Sequence, residues 1–104
     1  MAREITVSEV DQTQPILDVR EPAEWAAGRA RGAVHIPLGE LVDRAGELPE
    51  GPIQVICRSG GRSMKAADWL IEQGRDAINI GGGTIAWHEA GLPMDADEGT
   101  PTVS

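Results

Sequence analysis

Ile53-Gln54-Val55-Ile56-Cys57-Arg58-Ser59-Gly60-Gly61-Arg62-Ser63 joins the clearest strand of the chain to its clearest helix, and the fold is read outward from it. Ile53 to Ile56 is short and β-branched, as expected of a strand covered on both faces. Ser63 to Gln73 places Met64, Ala67, Leu70 and Ile71 on one stripe at spacings of three and four, with Gly74 as a stop. Upstream, Ile5 to Val7 reads as a weak strand and Pro15 to Val19 as a better one. Pro22 suits a first helical position in Glu21 to Gly28, where acidic residues favour the positive helix start and Gly28 suits the stop. Val34 to Ile36 is a third short strand, ended by Pro37, and Leu41 to Leu48 a short helix or turn. Downstream, Ala77 to Ile80 is the fifth strand, Gly81-Gly82-Gly83 a loop, and Thr84 to Ala90 a short helix. Strands alternating with helices predict an α/β domain with a largely parallel sheet. The domain is expected to span residues 4–94. Residues 95–104, polar with Gly99 and Pro101, read as a flexible tail.

Length and composition narrow the function. A chain of 104 residues has room for one domain. Its net charge of -8 opposes a phosphate backbone, and with three Trp but no Phe or Tyr it lacks a base-stacking surface, so nucleic acid is not an expected partner. The single cysteine excludes an intramolecular disulfide, a Cys-x-x-Cys pair and a thiolate zinc cluster. No segment approaches the ~20 apolar residues of a membrane span. Met1 to Val10 carries no apolar run of the kind that marks a secretory signal, so a reducing cytoplasm is the expected location.

Chemistry is expected where the strand gives way to the helix, because ligands of open α/β sheets bind beyond the carboxyl ends of strands. Gly60 and Gly61 let the backbone turn several N–H groups inward to hold an anion, and the helix adds its positive end. Cys57 opens this loop beside Arg58 and Arg62, which favours its thiolate. An inert core cysteine would gain nothing from the Arg-Ser-Gly-Gly-Arg that follows. From Cys57 to Ala67 there are three bases and no acid, leaving six bases against seventeen acids in the rest of the chain.

Four blocks then resemble the single-domain rhodaneses, thiosulfate sulfurtransferases that carry sulfane sulfur on a cysteine. They are Leu17 to Glu21 with Trp25 and Gly28, Gly32 to Pro37, Val55 to Ser63, and Asn79 to Gly83 through Trp87, Gly91 and Pro93. The third is the most specific. The resemblance implies a three-layer α/β/α fold with a five-stranded parallel sheet in the order 3-2-4-5-1. Many relatives have Gly-His-Ile-Pro-Gly-Ala where this chain has Gly28-Arg29-Ala30-Arg31-Gly32-Ala33, so Arg29 and Arg31 are a basic departure, expected to face water.

The implied reaction uses Cys57 as nucleophile and persulfide carrier, with Arg58, Ser59, Gly60, Gly61, Arg62 and Ser63 binding a small anionic sulfur donor such as thiosulfate. The acceptor would be cyanide, a thiol or a protein. Ser59 and Ser63 suit either a hydrogen bond to sulfur or a turn and cap role. Cysteine phosphatases place five residues between nucleophile and arginine, whereas Cys57 and Arg62 enclose four, which disfavours a phosphatase or arsenate reductase. A sulfur carrier or regulatory interaction module remains the alternative. Asp18 and Arg20 stand at the carboxyl end of strand 2, where they could border the site, but a structural ion pair or turn is the favoured role. His35 and His88 form no ligand cluster, Gly81-Gly82-Gly83 matches no nucleotide motif, and Ser59, His88 and Asp18 lack a nucleophile elbow. Neither metal nor cofactor is implied.

Overall fold

The computed structural model describes residues 1–104. Its strands and helices follow in chain order as β1 (Arg3–Ile5), β2 (Ile16–Asp18), α1 (Pro22–Ala27), β3 (Arg29–Ala30), β4 (Val34–His35), α2 (Leu41–Arg44), β5 (Ile53–Ile56), α3 (Gly61–Glu72), β6 (Ala77–Ile80), α4 (Gly83–Glu89) and β7 (Met94–Asp95). Five strands form one sheet in the order β1-β6-β5-β2-β4, every neighbouring pair parallel. Counting only these five, this is the order 3-2-4-5-1 expected above. Central β5 is buried along its whole length between β2 and β6.

Alternation along the strands divides the core in two. Leu17, Ile53 and Val55 pack on one face with Ala66, Ala67 and Leu70 of α3. Ile16, Ile56 and Ile80 pack on the other with Trp87 of α4 and Ala30. Along α3 the buried residues are Ser63, Ala66, Ala67 and Leu70, one residue round from the expected stripe. Two adjacent alanines let the helix lie close to the sheet, while Ile71 turns outward and is 43% exposed. No helix is long and apolar enough to cross a membrane.

The ends of the chain depart from the sequence reading. β1 begins at Arg3, two residues before the expected strand, and Val7 lies in a 3-10 turn whose start is held by Thr6 and Glu9. A second, two-stranded antiparallel sheet joins Arg29 to Asp95 and Ala30 to Met94. From there residues 95–104 lie back on the domain rather than leaving it as a tail. The Asp97 and Thr102 N–H groups donate to the carbonyls of Ala26 and Ala27 at the end of α1, at 3.0 and 2.9 Å. Arg31 faces water as expected, 63% exposed with Asp95 at 3.2 Å, whereas Arg29 is only 19% exposed and pairs with Asp97 at 2.7 Å. Arg29 also stacks on Trp25, 4.6 Å from its ring centroid. Gly28 ends α1 in an extended conformation, so its lack of a side chain serves another purpose. A Cβ there would sit 2.1 Å from the carbonyl oxygen of Thr102.

Candidate active site

Cys57 is the first residue after β5 and the loop turns at once towards α3. Two devices hold its backbone. The first is the start of α4: the Thr84 N–H and hydroxyl both donate to the Cys57 carbonyl, at 2.8 and 3.0 Å, and the Ile85 N–H donates to the carbonyl of Arg58 at 3.2 Å. This contact requires glycine at position 83, because a Cβ there would fall 2.4 and 2.5 Å from those two carbonyl oxygens. The glycine run after β6 thus permits an approach as well as a turn. The second device is Gly60, whose φ of +124° is open to glycine and strained for other residues. It turns the chain so that α3 begins at Gly61.

The sulfur lies inside this turn with only 1% of Cys57 exposed. The Gly60 N–H points at it from 3.0 Å and the Ser63 hydroxyl from 3.2 Å. Burial pushes the Cys57 thiol up, but the Ser63 hydroxyl and the backbone N–H groups of Ser63, Gly60 and Ser59 together outweigh it. The thiol is held below the ordinary cysteine value. Ser63 is itself wholly buried, so its hydroxyl is turned inward rather than to the surface. Ser59 contributes its backbone N–H, with its side chain exposed.

The arginines are arranged differently from a simple cationic mouth. Arg62 makes a two-pronged bond to Glu24 of α1, at 2.7 and 2.9 Å. That bond, against some burial, holds Glu24 down at about 2. Glu24 is fixed in turn because the same carboxylate accepts the Glu21 N–H that opens α1. Arg58 is exposed and donates from Nε to the carbonyl of Ser104 at 2.9 Å. Asp18 and Arg20 are wholly out of solvent and make no hydrogen bond to the sulfur. The guanidinium of Arg20 grips the Asp18 carboxylate at 2.7 to 3.0 Å and donates to the carbonyls of Gly28 and Glu24. No group of three or more His, Cys, Asp or Glu side chains is gathered for a metal ion.

A family model described as a rhodanese-like domain matches residues 5–90, which take in the parallel sheet apart from the first two residues of β1, and the whole Cys57 loop. The chain belongs to the rhodanese-like domain family. A sulfurtransferase of Allochromatium vinosum is 40% identical over 86 residues, covering 81% of this chain and 80% of that protein. The putative sulfur carrier protein YrkF of Bacillus subtilis is 46% identical over 79 residues, which are 74% of this chain but 43% of that protein. Among solved structures, a rhodanese-related protein of Thermoplasma volcanium superimposes with a TM-score of 0.85 at 31% identity. That match covers 92% of this chain and 99% of the other.

Within this rhodanese-like domain, Glu24, Asn79 and Glu4 are polar partners that sequence reasoning left out of the site. Asn79 is wholly buried at the end of β6, between the Ser63 hydroxyl and the Gly60 carbonyl. Its signal was an amide in a strand of otherwise apolar residues, since a buried amide needs partners. Glu24 carried the signal of a capping residue three positions after Glu21, but nothing local pointed to Arg62.

Proposed function

We propose that this rhodanese-like domain is a thiosulfate sulfurtransferase in which Cys57 carries the sulfur. The observation that supports it most is a buried sulfur faced by the Gly60 N–H and Ser63 hydroxyl. The anion is formed beforehand, so no general base is needed. The Cys57 thiolate attacks the outer sulfur of thiosulfate, a new S–S bond forms, and the bond to the sulfonate sulfur breaks with both electrons leaving on sulfite. Cys57 is left as an anionic persulfide. A cyanide ion or a thiolate then attacks the outer sulfur and departs as thiocyanate or a new persulfide, returning the Cys57 thiolate.

Arg58 and Arg62 draw the anionic donor to the loop and offset charge on the departing sulfite. The near-complete burial of Cys57 favours a donor that presents a terminal sulfur end-on. Intact mass after incubation with thiosulfate tests the reading. Wild type should gain the mass of one sulfur atom and Cys57→Ser should gain nothing, and an equal gain in the variant would remove Cys57 from this role.

A second reading is favoured by the similarity to a protein named as a putative sulfur carrier. The same loaded cysteine would then pass its sulfur to a protein rather than to a small thiol. Fast discharge to small thiols supports the enzyme, and discharge only to a partner protein supports the carrier.

A further inference from the structure

The Ser63 hydroxyl has one proton and three acceptors within reach. They are the Cys57 sulfur at 3.2 Å, the Gly60 carbonyl at 3.2 Å and Oδ1 of Asn79, the nearest of the three. The Asn79 amide is held one way round. Its Nδ2 donates to the Glu4 carboxylate at 2.8 Å and to the Gly60 carbonyl at 3.2 Å, so turning the amide over would set its oxygen against two acceptors. Glu4 is well placed for this because it faces Asn79 across the parallel pairing of β1 with β6. Ser63 and Asn79 both have no exposed surface, so the proton is shared among these atoms.

We propose that Asn79 is a positioning residue that competes with the Cys57 sulfur for the single proton of Ser63, and thereby favours sulfur-loaded Cys57 over the free thiolate. The statement about loading rests on the sulfur-transfer reading above; the competition for the proton stands without it. In the neutral thiol, Ser63 donates to Asn79. When the sulfur becomes an anion it is the stronger acceptor and takes that hydrogen bond, leaving the Asn79 oxygen facing a hydroxyl oxygen in a buried site. In the persulfide the charge moves to the outer sulfur, beyond Sγ, and the Ser63 proton returns to Asn79. The free thiolate is therefore the one state that bears the cost.

The charged groups around the cluster act in other ways. Arg62 favours the anion through its charge and is paired with Glu24. Glu4 reaches the cluster through the Asn79 amide. Arg58 lies exposed on the loop, and Asp18 with Arg20 on β2 and the turn after it is closed on itself. None of them accepts the Ser63 proton.

The test is the pH dependence of Cys57 alkylation by iodoacetamide in wild type, Asn79→Leu, Ser63→Ala and the double variant. Asn79→Leu should lower the midpoint by roughly half a unit, about a threefold larger thiolate fraction below it. Ser63→Ala should raise the midpoint, and adding Asn79→Leu to Ser63→Ala should move it no further. An unchanged or higher midpoint in Asn79→Leu, or the same downward shift without the serine hydroxyl, overturns the proposal. Should Asn79→Leu fail to fold, Glu4→Ala frees the amide to turn over and should shift the midpoint the same way by less; no shift there is equally fatal. As a second readout, the loaded fraction at a fixed ratio of thiosulfate to sulfite, read by intact mass, should fall about threefold in Asn79→Leu. A wild type that takes up no sulfur sinks the sulfur-transfer reading alone, and the alkylation profiles still decide the competition.

Discussion

Arg20 and Arg62 each clasp a carboxylate with two prongs, Arg20 on Asp18 and Arg62 on Glu24, yet the surroundings of the two pairs differ. Neither side chain of the first pair has any exposed surface, and two further N–H groups of Arg20 donate to the backbone carbonyls of Glu24 and Gly28. In the second, Arg62 is 35% exposed and Glu24 17%. A closed pair holds a helix to a sheet and has nothing to offer a ligand. On the sulfur-transfer reading proposed above, a pair open on one side sets how much positive charge an arriving anion meets. The same residue types at similar distances thus form a closed structural pair in one place and a solvent-accessible pair beside the loop in the other, and solvent access separates them.

Breaking the closed pair should have the largest effect. Arg20→Ala leaves the Asp18 carboxylate buried without its partner and should cost about 3–5 kcal/mol of stability in urea denaturation. A loss below about 1 kcal/mol would place Arg20 with the exposed pairs instead. Next comes Gly28, whose carbonyl receives Arg20 and whose α-carbon faces Thr102. Gly28→Ala should cost roughly 1–3 kcal/mol by overpacking. It should also raise amide hydrogen exchange at Asp97 and Thr102, and unchanged protection there would refute the close approach.

Opening the second pair should cost least in stability and show most in kinetics. Glu24→Gln should lower stability by no more than about 1 kcal/mol. It also frees the charge of Arg62, so thiosulfate should load faster and with a steeper fall in rate as salt is added. An unaltered salt dependence would mean that Glu24 does not mask Arg62. The pH behaviour has a definite sign, because Glu24 is lowered on folding from 4.5 to about 2. Its contribution is complete above 4.5 and is lost as the pH falls from there towards 2, a loss that Glu24→Gln should remove from the acid limb of an unfolding titration.

The sequence was most legible where local chemistry and final environment agree. Ile53 to Ile56 and Ala77 to Ile80 are read to the residue, because a short apolar run between turn residues has few other uses. The Cys57 loop is read for the same reason, its glycines, serine and arginines being contiguous. The pairing of Arg62 with Glu24 is not legible, because the two lie 38 positions apart and only the packing of α1 against the loop brings them together. The burial of Arg29 is not legible, because Asp97 reaches it only when the last ten residues fold back, whereas Arg31 faces water as its sequence suggests. The exposure of Ile71 is not legible because a periodic pattern fixes a stripe only to within a neighbouring residue, and the pair Ala66 and Ala67 decides which side meets the sheet.

The pairing of Glu4 with Asn79 spans 75 positions. Strand β1 leaves the ribosome first, yet it sits at the edge of the sheet and its only neighbour there is β6, the last strand of that sheet to be made. The opening residues must therefore wait for nearly the whole domain to be synthesised before they dock. A nascent chain holding β5 and α3 already has the residues of its cysteine loop, but it lacks Asn79, and its Glu4 has no β6 on which to dock. The reactivity of Cys57 should therefore reach its final value late in synthesis, so that a labelling reagent applied to stalled chains of increasing length would report the closing of the sheet.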